Sequence, residues 1–324
     1  MVAPASLALI YPTLLTALMQ ANYTVFPDDN GVPYLIKLDD RPLSLDEINA
    51  LSSDLDSITF NLFTRRNPTN GHSLSMNNPN TVSQSNWNAN RPTILVTHGW
   101  KSNGDSKSCT LVRDAYLKAI DCNVIVIDWR NIAKNLIYSQ VAKSVPLVAQ
   151  HVTSFSSFLR SRMNLKASTT KMVGHSLGAH VMGLAARSLS KTGQVAEVIA
   201  LDPAKPLFEQ KGPGDRVDRS DAKNVQIIHT SAGKLGMDGA VGTSDFYANG
   251  GSKQPGCSSD LLGSCAHGRS YEYFSESITK PRGFPGTPRN GGGKMYMGGS
   301  TLSSGAHGSY DFKTADQSPY ALGG

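Results

Sequence analysis

One serine lies in a pattern that is typical of a catalytic nucleophile. Residues 174–178 read Gly-His-Ser-Leu-Gly, which fits the motif G-x-S-x-G around Ser176. An apolar run precedes this motif and a helical pattern rich in small residues follows it, as a turn between a strand and a helix requires. In such a turn the serine hydroxyl projects from the end of the sheet. The pattern predicts Ser176 as a nucleophile, and the alternative is a plain Gly/Ser turn in an inactive relative.

A serine hydroxyl also needs a base and a carboxylate that orients the base. On folds with this motif, the acid follows the serine in the chain and the histidine follows the acid. Asp202 ends the next apolar run, residues 198–201, and Pro203 stops the strand there. Asp128 also ends an apolar run but precedes Ser176, so we interpret it as a cap or a structural contact. The predicted acid is Asp202.

Three histidines follow Asp202 and compete for the role of base. His229 ends an apolar run, and His307 lies in a tail rich in Gly and Ser. His267 stands two residues after Cys265, in a loop that a disulfide would hold in place. The pattern favours His267 and leaves the other two open.

Attack by a serine on an acyl carbon also needs two N–H groups that bind the developing oxyanion. One donor is expected from Leu177, the residue after the nucleophile. The second is expected from the backbone of Trp100, after the run at residues 94–96, because Gly99 permits an unusual backbone angle beside it. The Trp100 indole would also form part of an apolar wall for an acyl chain.

The elements that would position these residues alternate along the chain. Short apolar runs alternate with helical patterns, which is typical of a mostly parallel sheet with helices on both faces. The runs are residues 94–96, 124–127, 172–173, 198–201 and 225–228, and the helical patterns are residues 111–120, 141–163 and 177–189. No linker divides the chain, so the sequence predicts a single α/β domain.

The N-terminus and the charge distribution indicate where the protein works. Residues 1–21 carry no charge and contain two apolar stretches, which predicts a secretory signal peptide followed by a domain over residues 22–324. The alternative is an N-terminal arm that is buried or disordered. The net charge of +6 is spread along the chain without a basic stripe, so nucleic acid is not an expected partner. The sequence also lacks H-E-x-x-H, the motif of zinc proteases.

Four cysteines form two locally spaced pairs. In an oxidising compartment, this spacing predicts the disulfides Cys109–Cys122 and Cys257–Cys265. The spacing does not match a zinc site.

Together these residues resemble the pancreatic-type lipases of the α/β-hydrolase superfamily, among them the insect neutral lipases and the vespid phospholipase A1 enzymes. The resemblance covers roughly residues 55–322 and implies the triad Ser176, Asp202 and His267. It also supports the Cys109–Cys122 pair. The matching motifs are at residues 98–100, 126–129, 174–180, 201–204, 244–251, 254–257 and 265–278.

The family resemblance also implies a lid between Cys257 and Cys265, and here that lid is short. It consists of Ser258, Ser259, Asp260, Leu261, Leu262, Gly263 and Ser264. Triglyceride-specific relatives have far longer lids. The chain also ends before the C-terminal β-sandwich of longer members, so we expect no colipase.

These features lead to an expected function. We expect a secreted ester hydrolase that acts on lipid at a membrane, micelle or droplet surface and prefers the sn-1 ester of phospholipids. A neutral lipase acting on triacylglycerols or galactolipids is the first alternative. A small-molecule esterase and a yolk-type storage or binding protein without activity are the others.

Catalysis of this kind needs no cofactor, but the family sometimes carries a structural calcium. The matching segment contains Asp218 and Asp221, whose carboxylates are hard oxygen ligands that suit Ca²⁺. The alternative is an Asp-rich turn without a metal.

Overall fold

The structure is a computed structural model that describes residues 22–259 and 261–323. The predicted signal peptide, residues 1–21, lies outside the described residues, and so does Asp260 of the predicted lid. The boundary between residues 21 and 22 therefore stays a prediction.

A large sheet forms the centre of the described structure. Seven neighbouring strands, in the order β6-β5-β7-β8-β9-β10-β13, are parallel, and antiparallel strands extend both edges as β3-β4 and β11-β12. The strands are β3 (Thr59–Phe63), β4 (His72–Leu74), β5 (Thr93–Thr97), β6 (Asn123–Asp128), β7 (Thr170–His175), β8 (Glu197–Leu201), β9 (Asn224–His229), β10 (Ser244–Ala248), β11 (Pro285–Pro288), β12 (Met295–Tyr296) and β13 (Gly308–Phe312). The five predicted apolar runs all lie in parallel strands.

Helices cover both faces of this sheet. They are α1 (Leu45–Asp56), α2 (Asn80–Ser83), α3 (Lys107–Ala119), α4 (Arg130–Ala133), α5 (Tyr138–Met163), α6 (Leu177–Ser190) and α7 (Ser264–Thr279), and a short 3-10 turn spans Ala167–Thr169. None of the helices in the described part of the chain is long and apolar enough to cross a membrane.

The alternation of side chains along the strands explains why both faces need cover. In β5, Leu95 packs into a core with α5 and α6, whereas Ile94 and Val96 pack into a second core with α3 and α7. Because successive side chains of a strand point to opposite faces, an unbroken apolar strand requires a helix layer on each side. The predicted class, a mostly parallel sheet between helix layers, is therefore confirmed.

A separate two-stranded antiparallel sheet precedes the main one. It consists of β1 (Tyr23–Pro27) and β2 (Pro33–Lys37), joined by the turn at residues 28–32. We call this element the N-terminal hairpin.

The cysteines give one confirmed prediction and one correction. Cys257 and Cys265 form a disulfide, but Cys109 and Cys122 are free thiols, so the predicted pair was wrong. Helix α3 explains why: Cys109 lies in its first turn and Cys122 follows its end. From Cys109 to the last helical residue, Ala119, a rise of about 1.5 Å per residue carries the chain about 15 Å along the helix axis, whereas a disulfide needs Cα atoms within about 7 Å.

Candidate active site

Ser176 occupies a strained turn between β7 and α6. Its backbone has φ 56° and ψ −123°, which residues other than glycine rarely adopt. The turn is tight because Gly174 and Gly178 face each other: a Cβ atom on Gly174 would lie 2.1 Å from the carbonyl oxygen of Gly178. The local geometry is therefore that of a nucleophile elbow.

Asp202 follows the end of β8, next to the serine strand, and its carboxylate is fully buried. Its Oδ1 atom accepts hydrogen bonds from the backbone N–H groups of Thr230 at 2.8 Å and Ser231 at 3.0 Å. Its Oδ2 atom lies 2.6 Å from Nδ1 of His267. Both oxygens are thus held, and one of them orients the imidazole.

His267 lies in the first turn of α7 and not in a loop as expected. Its backbone N–H donates to the carbonyl oxygen of Gly263 at 2.8 Å. The Cys257–Cys265 disulfide fastens the chain two residues earlier. The Nε2 atom of His267 is buried and has no hydrogen-bond partner among the described residues. With Nδ1 on the carboxylate, Nε2 is the nitrogen left to take a proton from the serine.

A second histidine, His175, packs against His267. The ring of His175 lies 4.3 Å from the ring of His267, and its Nε2 lies 3.3 Å from the His267 carbonyl oxygen. Burial, with a smaller contribution from His267, lowers the pKa of His175 to about 3. His175 is therefore neutral at ordinary pH and adds no charge beside His267.

The loop that carries Trp100 is fixed from both sides. The indole N–H of Trp129 donates to the carbonyl oxygen of His98 at 3.1 Å. The indole N–H of Trp100 donates to the carbonyl oxygen of Asn135 at 2.8 Å. Leu177 is the first residue of α6, and N–H groups in a first helical turn have no partner within their helix. The two proposed oxyanion donors, the backbone N–H groups of Trp100 and Leu177, thus stand on rigid supports.

Asp128 has the structural role expected of it. His98 Nε2 lies 3.1 Å from its Oδ1, and Arg130 Nε donates to its Oδ2 at 2.6 Å. Burial raises the pKa of Asp128, but the hydrogen bonds from His98 and Arg130 outweigh it and hold the pKa well below its usual range. This ionised carboxylate anchors the base of the Trp100 loop.

The two other candidate histidines do not reach the site. His229 is buried between the Met237 carbonyl oxygen and Asp245, each at 3.0 Å. His307 is exposed and directly precedes β13. Of the three histidines after Asp202, only His267 contacts that carboxylate. The structure therefore distinguishes His267 from the two histidines that the sequence pattern left open.

The lid has an exposed tip and a packed base. Ser258 and Ser259 are exposed and the Leu261 side chain is 89% exposed, whereas Gly263 is buried and Ser264 begins α7. A Cβ atom on Gly263 would lie 2.7 Å from Ser231 Oγ, in the loop between β9 and β10. The lid base therefore packs against the segment whose backbone binds Asp202.

The expected calcium pair lies beside the middle of α6. Asp218 is nearly buried and Asp221 fully buried, and the Asp221 Oδ1 atom has no hydrogen-bond partner within the described structure. Burial, together with the charge of Asp218, raises the pKa of Asp221 to about 7. Arg187 and Arg216 lie 3.6 and 3.7 Å from the two carboxylates. The two carboxylates are hard oxygen ligands of the kind that Ca²⁺ prefers, but a guanidinium group already faces each of them. Among the described residues, no group of three or more His, Cys, Asp or Glu side chains is placed to hold a metal ion.

Sequence reasoning missed several residues of the site. The Thr230 and Ser231 N–H groups that bind Asp202 carry no side-chain signature. The N-terminal hairpin was also missed, although Asn30-Gly31 between alternating apolar residues is a known turn signal. Its Phe26 side chain lies 6.1 Å from the His267 ring, edge to face.

A parallel sheet with a strained serine elbow, an acid after the next strand and a later histidine defines an α/β hydrolase. The family model described as Lipase matches residues 38–300, and the chain belongs to that lipase family.

Individual relatives agree with this family. Pancreatic lipase-related protein 2 of Myocastor coypus is 34% identical over 265 residues, which is 74% of this chain and 56% of that protein. Pancreatic triacylglycerol lipase of Homo sapiens is 33% identical over 251 residues, 71% of this chain and 53% of that protein. Probable phospholipase A1 magnifin of Vespa magnifica is 36% identical over 210 residues, 61% of this chain and 62% of that protein. The chain spans about half the length of the two pancreatic relatives.

Proposed function

We propose that this protein is a serine ester hydrolase that cleaves acyl esters of lipids. The observation that carries the proposal is the 2.6 Å contact between Asp202 Oδ2 and His267 Nδ1, beside a serine held in an elbow. This contact supplies the oriented base that a serine needs in order to react.

The proposed reaction proceeds through an acyl-enzyme. The Ser176 Oγ atom attacks the ester carbonyl carbon while its proton passes to Nε2 of His267. The Asp202 carboxylate stabilises the resulting imidazolium, and the N–H groups of Leu177 and Trp100 bind the oxyanion. Collapse of this intermediate expels the alcohol, which takes the proton from His267. Water then repeats the sequence and releases the fatty acid.

We propose the sn-1 ester of phospholipids as the preferred substrate. The lid between Cys257 and Cys265 has seven residues, and its disulfide and packed base leave it little reach. A short lid does not provide the broad apolar face that binds an oil droplet, and it leaves space for a polar head group beside the ester. The name of the relative from Vespa magnifica, probable phospholipase A1 magnifin, agrees with this choice.

A mixed-substrate assay tests both parts of the proposal. Purified protein is assayed side by side on phosphatidylcholine in mixed micelles, galactolipid and emulsified triolein. The phosphatidylcholine carries different acyl chains at sn-1 and sn-2, so the released acid reports the position of cleavage. We expect release of the sn-1 acid at the highest rate. Faster cleavage of triolein would favour the triacylglycerol lipase alternative, and cleavage of none would favour a non-catalytic protein.

We propose that the protein is secreted, supported by the apolar, uncharged residues 1–21 and by the Cys257–Cys265 disulfide, since disulfides persist in oxidising compartments.

We also propose that Asp218 and Asp221 hold a structural Ca²⁺. A bound Ca²⁺ would add positive charge beside two carboxylates that Arg187 and Arg216 already face, and it would have no part in the proton transfers at Ser176.

A further inference from the structure

The N-terminal hairpin lies against the proposed active site through one face. The register pairs Phe26 with Tyr34 and Thr24 with Ile36, so these four side chains share a face. Phe26 and Ile36 are almost fully buried. On the opposite face Val25 pairs with Leu35, which is 54% exposed. The hairpin is thus amphipathic, with its apolar inner face toward the body of the protein.

The inner face contacts the residues assigned to catalysis. The Phe26 ring lies 6.1 Å from the His267 ring and 5.9 Å from the Trp100 ring, in both cases edge to face. Tyr34 makes a third aromatic contact, 5.2 Å from Trp100. Phe26 therefore lies against the base and against the indole that would line the acyl site. An acyl chain bound to Ser176 would need this apolar space.

The catalytic side chains are closed to solvent where the hairpin lies. Ser176 is 3% exposed and His267 is 5% exposed. Asp29 and Gly31 of the hairpin turn line two separate surface pockets, both of which also include Ser264 and Cys265 at the start of α7. The hairpin turn thus lies beside the beginning of the helix that carries His267.

The hairpin is attached in a way that permits release. Among the described residues, all hydrogen bonds of residues 22–38 are made within that segment. It joins no strand of the large sheet. Its attachment is apolar and aromatic, with one cation–π contact from Lys101 to Tyr34. Lifting the hairpin would break no backbone hydrogen bond of the hydrolase core.

We propose that the N-terminal hairpin is an autoinhibitory cover whose Phe26 side chain occupies the space of the substrate's acyl chain. The seven-residue lid is too short for this task, and the hairpin closes the site in its place. This inference rests on the proposed function, because it takes Ser176 and His267 as the reacting pair. Substrate enters only when the hairpin moves away.

The rate at which a fluorophosphonate labels Ser176 in lipid-free buffer tests the cover. We expect Phe26→Ala to raise that rate about tenfold or more, because the truncated side chain no longer favours the closed state. Leu35→Ala is the matched control, since it removes a similar apolar side chain from the outer face of the same hairpin. Its rate should equal that of the wild type. Equal rates in all three folded proteins would overturn the cover and leave the hydrolase assignment intact.

A second measurement uses the unmodified chain, in case Phe26→Ala does not fold. Hydrogen exchange is followed with and without phosphatidylcholine mixed micelles. Amides of residues 23–37 should lose protection when micelles are added, while those of β5–β8 keep theirs. Unchanged protection of the hairpin during turnover would overturn the proposal. If Ser176 is not a nucleophile, no variant is labelled at that residue, which identifies failure of the proposed function instead.

Discussion

Asp202 and His267 stand 65 positions apart in the chain, yet their side chains meet at 2.6 Å. The contact depends on two separate supports. Backbone N–H groups after β9 hold one oxygen of Asp202, and a disulfide holds the start of the helix that carries His267. In the proposed mechanism, Asp202 and His267 are thereby positioned before any substrate arrives, which is the condition for efficient proton transfer.

Removing any member of this set should abolish hydrolysis. We expect Ser176→Ala, Asp202→Asn and His267→Ala each to lower kcat by about four orders of magnitude or more, because the three groups act as a unit. Turnover of phosphatidylcholine in mixed micelles gives the rates, and circular dichroism shows that each variant is folded. A Ser176→Ala variant with near-normal turnover would refute the assignment.

Gly236 should be important for activity although it carries no side chain. A Cβ atom there would lie 2.4 Å from Oδ1 of Asp202, so Gly236→Ala should displace the carboxylate and lower kcat by about tenfold or more. Gly239→Ala is the control in the same loop, where a Cβ atom would lie 3.6 Å from its nearest neighbour. If the two variants had the same activity, the close approach to Asp202 would be functionally unimportant.

Two buried histidines should make the fold sensitive to acid. Burial lowers the pKa of both His175 and His180 to about 3, from an ordinary value of 6.5. Between these values the unfolded chain binds more protons than the folded one. The contribution of the two neutral histidines to the free energy of unfolding is therefore fully present above pH 6.5 and is lost as pH falls toward 3.

His180 is the better histidine to change, because it does not touch His267. Its Nε2 lies 2.8 Å from the Ala204 carbonyl oxygen, and its Nδ1 accepts from the Val217 N–H at 3.3 Å, as only a neutral ring can. We expect His180→Gln to flatten the dependence of Tm on pH between 6.5 and 4, even if it lowers Tm overall. The same slope in wild type and variant would contradict the account.

The calcium proposal predicts a linkage between metal and pH. Burial raises the pKa of Asp221 to about 7, so without metal the ionised form costs stability as pH rises from 3.8 toward 7. Added Ca²⁺ should offset this cost and raise Tm more at pH 8 than at pH 5. Asp221→Asn should remove the calcium effect, whereas Asp215→Asn, at an exposed position nearby, should keep it. A Tm that does not change with Ca²⁺ or EDTA would eliminate the site.

Thiol counting separates the two cysteine pairs. Cys109 and Cys122 are buried, and burial raises the pKa of the Cys122 thiol to about 12, so neither should react in the native protein. Unfolding without a reductant should expose two reactive thiols, and unfolding with a reductant should expose all four cysteines. No reactive thiol in the unreduced, unfolded chain would mean that the pair is oxidised after all.

Prediction from the sequence succeeded where the tertiary environment of an element determines its local residue pattern. Apolar runs became parallel strands because burial on both faces excludes polar residues. Ser176 and Asp202 were found because each stands immediately after such a strand, at the carboxyl ends of the parallel strands. His267 was harder to choose, since its position depends on a helix and a disulfide after the last long apolar run, and no periodic signal marks it.

The missed features depend on distances that the sequence does not contain. Cys109 and Cys122 are close in sequence, but most of the intervening residues form a helix, and the two thiols are free. Phe26 and His267 lie far apart in the sequence, and no sequence motif includes both residues, so nothing in the sequence predicts their contact. Turn signals at Asn30-Gly31 predict a hairpin, but not the surface that the hairpin covers.

The most direct test of the central claim is to find the residue that a fluorophosphonate modifies. The purified protein is labelled with Phe26 intact and with Phe26→Ala, digested, and analysed by mass spectrometry. We predict one modified residue, Ser176, and no labelling when His267→Ala is added, because the serine then lacks its base. Modification of another serine, or persistent labelling of Ser176 without His267, would contradict the account.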